Sequence, residues 1–247
     1  MQSLLISLLL VCFGPNFSAI DVNENIEQQQ HNEVLTTASD FEPLQIVMEF
    51  ETEKKGKRIA KESGEYAMVF GGARYAMITG TEGQNVQLII DIEAKTMTTT
   101  TTNKDGEIVA VKMPLIRMGK GMFDNLNHTV TQTEEVRTIL GYDCRKYIIM
   151  NEGDVTESWI ANVPGLAWGE LAKALIGGKK SNTTDLMTPI KDMPDAFALE
   201  SHTTLKGGKK VVHSYVRSLA MGADADLSGL EIPEGAEVQD LTSLMKF

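Results

Sequence analysis

The sequence is short of cysteine, of aromatic side chains and of basic charge, and each shortage excludes something. Only two cysteines occur among 247 residues. Cys12 falls in an apolar N-terminal stretch that reads as a removable signal, so the mature chain keeps Cys144 alone and can form no intramolecular disulfide even in an oxidising compartment. A single cysteine inside a strand pattern reads as a small buried apolar residue. Aromatics make up 6% of the chain against 42% hydrophobic residues in all, while there are 13 methionines. The core is therefore filled largely by flexible, adaptable side chains. Lysine and arginine number 23 against 34 acidic residues, a formal net charge of -11, which argues against nucleic-acid binding and its basic footprint and favours solubility.

Catalytic patterns are also missing. There is no Gly-x-Ser-x-Gly elbow, and Gly177-Gly-Lys-Lys-Ser181 lacks the order of a phosphate loop. Glu49 and Glu51 share a strand face with no marked partner acid. The histidines, His31, His128, His202 and His213, lie on separate segments without ligand spacing, although His202 and His213 are placed to meet across a hairpin. Met118 and Met122 fit a methionine-filled core better than a Cu(I) site. No catalytic residue, metal site or cofactor is assigned on this basis.

Residues 1–19 read as a secretory signal: Leu4 to Val11 is an apolar run too short to span a bilayer, and Ser18-Ala19 offers small residues for cleavage. A lipid-attached Cys12 is the competing reading, against which Val11 stands where a small residue is needed. Residues 20–43 are polar and rich in Gln, Asn and Glu, as in a flexible leader. From residue 44 to 247 no linker or repeat divides the chain, and a single β domain is expected there. The mature chain has no expected transmembrane segment.

Within that domain the pattern is of strands and tight turns. Ile139 to Met150, followed by Asn151-Glu-Gly-Asp154 and Val155 to Ile160, predicts a β-hairpin whose Gly accepts positive φ. Tyr147 and Ile149 alternate with Cys144, Ile148 and Met150, so both faces of that strand carry apolar groups. Leu44 to Thr52 reads as a half-buried strand. Tyr66 to Phe70 and Ala73 to Ile78 read as strand, turn, strand about Gly71-Gly72. Val86 to Ile92 is a strong strand, and the threonine run Thr96 to Thr102 suits a half-exposed strand better than a loop. Asn103-Lys-Asp-Gly106 is a hairpin turn. Thr129 to Leu140 re-enters the sheet, and Phe197 to Leu205 with Val211 to Leu219 form a further hairpin. Pro164 to Gly178 is expected to be a short amphipathic helix laid on the sheet, and Val238 to Phe247 a tail. The fold class is mainly β (α+β): a strongly curved antiparallel sheet or incomplete barrel with a short covering helix.

Four pieces carry a resemblance: Ile139-Leu-Gly-Tyr-Asp-Cys-Arg-Lys-Tyr147, Glu157-Ser-Trp-Ile160, Leu88-Ile-Ile-Asp91 with Met97, and Leu230-Glu-Ile-Pro-Glu-Gly235. From about Leu44 to Leu241 the chain resembles a family of secreted bacterial proteins known as domain-of-unknown-function family 4412. That family in turn resembles the lipoprotein-carrier (LolA-like) fold. The resemblance implies an envelope location, secreted or periplasmic, and binding of acyl chains or another apolar ligand. It implies no activity and no catalytic residues.

The leading expectation is accordingly a non-enzymatic protein that binds a lipid or acylated partner in the concave face of a curved sheet. Met48, Phe50, Tyr75, Met77, Ile148, Met150, Trp159, Trp168 and Leu171 are the expected lining, chosen as large apolar residues on elements placed to face a cavity or its lid. The alternative is an envelope structural or protein-interaction domain with a filled core, using the acidic surface or the Thr96 to Thr102 strand at a sheet edge. A redox or hydrolytic role for Cys144 would require an accessible, activated thiol.

Overall fold

A computed structural model describes residues 42–81, 84–102, 106–115, 128–151, 153–164, 166 and 195–242. The described residues from 42 onward belong to one compact unit, Phe41–Phe247. The expected covering helix at 164–178 lies outside them, apart from residues 164 and 166.

The described chain is almost entirely strand. β1 (Leu44–Lys54) is followed by the two-residue β2 (Lys57–Arg58) and then by a meander of β3 (Gly64–Gly71), β4 (Arg74–Thr81), β5 (Gln84–Asp91), β6 (Thr96–Thr102) and β7 (Ile108–Pro114). A second meander comprises β8 (His128–Ile139), β9 (Tyr142–Asn151), β10 (Asp154–Asn162), β11 (Ala196–Thr204) and β12 (Lys210–Met221). A short β13 (Glu237–Asp240) comes last. All join one sheet in the order β13-β7-β6-β5-β4-β3-β1-β12-β11-β10-β9-β8, with β2 paired to β1 off this path. β1 is thus the seam between the meanders, antiparallel to β3 on one side and to β12 on the other.

The expected strands form, including the threonine run as β6 and Tyr66 to Phe70 as part of β3. Turns fall at residues that accept positive φ: Gly72 at 64°, Gly153 at 99° and Gly106 at 83°. Three features differ from expectation. The predicted strand from Ile139 breaks at once, because Leu140 and Gly141 both take positive φ, 51° and 83°, and make a two-residue hairpin turn between β8 and β9. β6 lies between β5 and β7 rather than at an edge, so its threonines are not an edge available for strand addition. Finally, Glu237–Asp240 of the expected tail pairs parallel with β7, which makes the sheet mixed.

Chain connectivity forces the sheet to curl. β7 and β8 are consecutive in sequence but ten strand positions apart, a lateral separation of about 48 Å in a flat sheet. Thirteen residue steps join Leu115 to His128, and a fully extended chain of that length reaches only about 45 Å. The sheet is accordingly curved and unclosed. Its β8 edge is blunted by a register irregularity between Gln132 and Val136 and by the exposed Glu134 and Glu135, both devices that discourage pairing with another chain. Among the described residues no helix is long and apolar enough to cross a membrane.

Residues directly opposite one another on neighbouring strands share a face, so the register defines two faces across the whole sheet. The face that carries Leu44 and Ile46, both with 0% exposure, is termed the inner face. From β1 it runs in cross-strand rows: Leu44–Phe70–Tyr75–Ile90–Met97, then Ile46–Met68–Met77–Leu88, then Met48–Tyr66–Thr79–Val86. Burying each large apolar member contributes about 1.5–3 kcal/mol. On the outer face, Val69, Ala76 and Ile89 form a second cluster capped by Leu230 and Ile232 of the C-terminal segment. That segment is also tied down by Gln87, whose Nε2 donates to the carbonyls of Gly229 at 2.8 Å and Glu231 at 2.9 Å. A Cβ at Gly229 would sit 2.6 Å from Ile78 Cδ1, so a larger residue at this close approach would displace the tip of that side chain.

Candidate functional site

The inner face assembles apolar side chains of several strands into adjoining rows, and its two halves differ chemically. Across β1 and β3 to β6 it is lined by aliphatic, methionine and aromatic side chains, with Thr79, Thr99 and Thr101 toward one end. Phe70 and Tyr75 meet edge to face with centroids 5.5 Å apart, and Phe50 and Tyr66 are tilted at 6.0 Å. Phe50, Tyr66 and Met77 are only half-buried, whereas Leu44, Ile46 and Met68 beside them are buried. Methionine suits such a partly open surface because its unbranched side chain adapts to different shapes.

Across β10 to β12 the same face adds uncharged hydroxyls beside Ile160, Ala198, Val212 and Val216. The hydroxyls of Ser201 and Ser214 lie 2.7 Å apart, and those of Thr156 and Thr203 3.0 Å apart. Ser158 and Thr203 are buried, and the Tyr147 hydroxyl donates to Gln132 Oε1 at 3.2 Å. Burial of the Tyr147 ring pushes its phenol above the ordinary tyrosine value. An apolar zone thus adjoins a zone of uncharged hydroxyls on one continuous surface.

The register divides the expected lining residues between the two faces. Met48, Phe50, Tyr75 and Met77 come together on the inner face. Ile148, Met150 and Trp159 lie on the outer face instead, because Trp159 is opposite Glu200, which is opposite Tyr215, which is opposite Glu49 of β1, and Ile148 and Met150 share that side of β9. Met150 is 47% exposed, and Trp159 is covered by the Arg137 guanidinium, 4.2 Å above its ring. Trp168 and Leu171 are outside the described residues. Met68, Phe70, Leu88, Ile90 and Met97 belong to the inner surface but were not singled out from sequence. Their alternation within each strand is visible there, and only the register to Met77 or Tyr75 reveals that they share a face.

The outer face of β9 to β12 and β1 is a field of charge pairs. Lys146 Nζ lies 2.9 Å from Glu157 and 3.1 Å from Glu135, and bonding to those carboxylates holds its ammonium above the usual lysine value. Arg137 pairs with Glu200 at 2.5 Å. Glu49 accepts from the Tyr215 hydroxyl at 2.7 Å and is paired with Arg217, and these contacts, the Tyr215 bond foremost, keep its carboxyl below the ordinary range. A carboxylate with a lowered native pKa contributes stability that is complete above the ordinary carboxylate value and lost as pH falls through the lowered one. Replacing Tyr215 with Phe should therefore flatten the loss of stability between about pH 5 and pH 2. Urea midpoints measured across that interval check this; parallel curves for the two proteins would contradict it.

Cys144 is also on this side, at 1% exposure, with Sγ donating to the Tyr142 carbonyl at 3.4 Å. Burial raises its thiol above the usual value, the opposite of the lowered pKa and access that make a cysteine nucleophilic. Among the described residues no group of three or more His, Cys, Asp or Glu converges on a metal-holding position. A separate groove of about 510 Å³ runs under the C-terminal segment, with Gln87, Thr100, Ile108, Ile232 and Pro233 in its walls.

No protein-family model matches the chain, and no curated protein matches it. Several solved structures share parts of its outline at low similarity. PNGF-II is 14% identical with a TM-score of 0.38, over 81% of this chain, and the chain spans only 31% of that protein's length. A DUF1329 family protein from Desulfovibrio piger is 7% identical with a TM-score of 0.33, over 78% of this chain and 91% of that one. An outer membrane lipoprotein-sorting protein domain from Vibrio parahaemolyticus, described as putative, is 9% identical with a TM-score of 0.21, again over 78% and 91%.

Proposed function

We propose that this is a non-enzymatic secreted or periplasmic protein that holds a lipid or the acyl chain of a modified partner against the inner face of its curved sheet. The observation that carries the reading is the row Ile46–Met68–Met77–Leu88 with the row Leu44–Phe70–Tyr75–Ile90 beside it, an apolar surface over four strands. Its half-buried end at Phe50, Tyr66 and Met77 gives an acyl chain a place to enter. The adjoining hydroxyl zone of Ser201, Ser214, Thr156 and Thr203 suits the uncharged polar part of an amphiphile, which it can engage by donating or accepting hydrogen bonds. The resemblance of Gly141-Tyr-Asp-Cys-Arg-Lys-Tyr147 to family 4412 is in keeping with an envelope role. Delipidated protein is expected to take up oleate or phosphatidylglycerol stoichiometrically, read by native mass spectrometry. Failure to take up either would sink the proposal.

A second reading has its own support. Leu44, Ile46, Met68 and Leu88 are already buried, as in a filled core that leaves no space for a ligand. Under that reading the protein is an envelope interaction domain, and the same experiment returns a clean ligand-free mass.

A further inference from the structure

The strongest unassigned feature is a line of four side chains across the outer face. In register, Glu157 of β10 stands opposite His202 of β11, His202 opposite His213 of β12, and His213 opposite Glu51 of β1. His202 and His213 face each other across the β11–β12 hairpin, as their spacing suggests, and the register adds Glu157 of β10 and Glu51 of β1 at the two ends of the row. The two imidazoles are stacked, with centroids 4.4 Å apart and planes 16° from parallel. His202 is exposed, and His213 and Glu51 are half-buried. Each carboxylate has a cation on its far side: Lys146 at 2.9 Å from Glu157 and Arg58 at 3.4 Å from Glu51.

We propose that His202 and His213 together bind one divalent transition-metal ion of borderline softness, Cu²⁺ or Zn²⁺, on this outer face. Two metal–nitrogen bonds of about 2.0–2.1 Å span at most about 4 Å, close to the separation at which the rings already stand. The stacked rings hold their in-plane nitrogens side by side, so metal binding requires both rings to rotate about their side-chain torsions until one nitrogen of each points at the same ion. The rigid ladder of paired strands supplies the preorganisation, because the histidines occupy directly opposed positions, where Cβ atoms are about 4.5–5.5 Å apart. Imidazole suits zinc, copper and nickel and is a poor ligand for magnesium or calcium. Glu157 and Glu51 lie at either end of the pair, and a rotamer change brings one carboxylate in as a third ligand. The remaining position is left to water or to a donor from outside the chain. Convergence of three ligands is absent from the ion-free arrangement, so the site is a two-histidine clip completed on binding.

The test is calorimetric titration of the full chain with Cu²⁺, Zn²⁺ and Mg²⁺ after chelator treatment. One equivalent of Cu²⁺ should bind more tightly than Zn²⁺, following the usual order of divalent ions, and Mg²⁺ should give no saturable signal. H202A and H213A should each weaken Cu²⁺ binding tenfold or more. A variant lacking the other two histidines, H31A with H128A, should bind as the parent does. Because both ring positions are on the surface of the ladder, unchanged circular dichroism and thermal midpoint in H202N and H213N separate loss of ligation from loss of fold. The proposal is overturned if no saturable Cu²⁺ or Zn²⁺ binding occurs, or if it survives in H202A or H213A. Neither result bears on lipid uptake at the opposite face.

Discussion

Replacing Phe50 or Met77 with glutamate is expected to lower lipid uptake by the delipidated protein at least tenfold, while Trp159→Ala leaves it within twofold of the parent. Phe50 and Met77 are half-buried on the inner face. A carboxylate placed there would have to be dehydrated against an acyl chain or would exclude the chain, and either costs several kcal/mol against a gain of about 0.8 kcal/mol per buried methylene. Trp159 is just as large and apolar, but the register puts it on the other side of the sheet beneath Arg137. The comparison therefore discriminates between faces rather than between degrees of hydrophobicity. Equal losses in all three variants would mean that bulk apolar surface, not the inner face, governs uptake. Retained uptake in both glutamate variants would move the ligand elsewhere.

The second large effect concerns the seam. Ile46→Ala should destabilise the protein by about 2–5 kcal/mol, the range for removing a fully buried aliphatic side chain from a packed site. Ile46 has 0% exposure and stands between Met68 of β3 and Leu219 of β12. A cavity there loosens both meanders at once, because β1 is the strand that joins them. Val136→Ala, at a position 69% exposed on the edge strand β8, should change stability by less than about 0.5 kcal/mol. Denaturant midpoints for the two variants check the contrast. If flexible methionines such as Met48 and Met68 refill the space, the loss falls at the lower end of the range. A loss no larger than that of Val136→Ala would mean that β1 is not the structural seam.

Much of the architecture was legible from residue patterns. Alternation located β1, β5, β9 and β10, and β-branched content identified the threonine run as β6. Glycines marked the turns at Gly72, Gly106 and Gly153. The β8–β9 turn was harder to see, because Leu140 is not a residue that ordinarily signals positive φ. The parallel pairing of β13 was also hidden, since Glu237–Asp240 is exposed throughout and has no buried alternation to reveal a strand.

The candidate site was legible only in part, and the reason is geometric. A strand's own alternation says that Met48 and Phe50 share one side, and that Ile148 and Met150 share one side. It says nothing about whether those two sides face the same way, because a shift of one residue in the pairing between strands reverses the face of every side chain. By itself, the sequence determined that this chain is a β protein with an acidic balance and tight hairpins, since composition and local alternation act within a strand. Tertiary structure alone decided which residues share the inner face, why β1 holds two meanders together, and that Glu157 and Glu51 flank the His202–His213 pair. Those outcomes depend on the register between strands distant in sequence, which follows from packing both faces of the sheet at once.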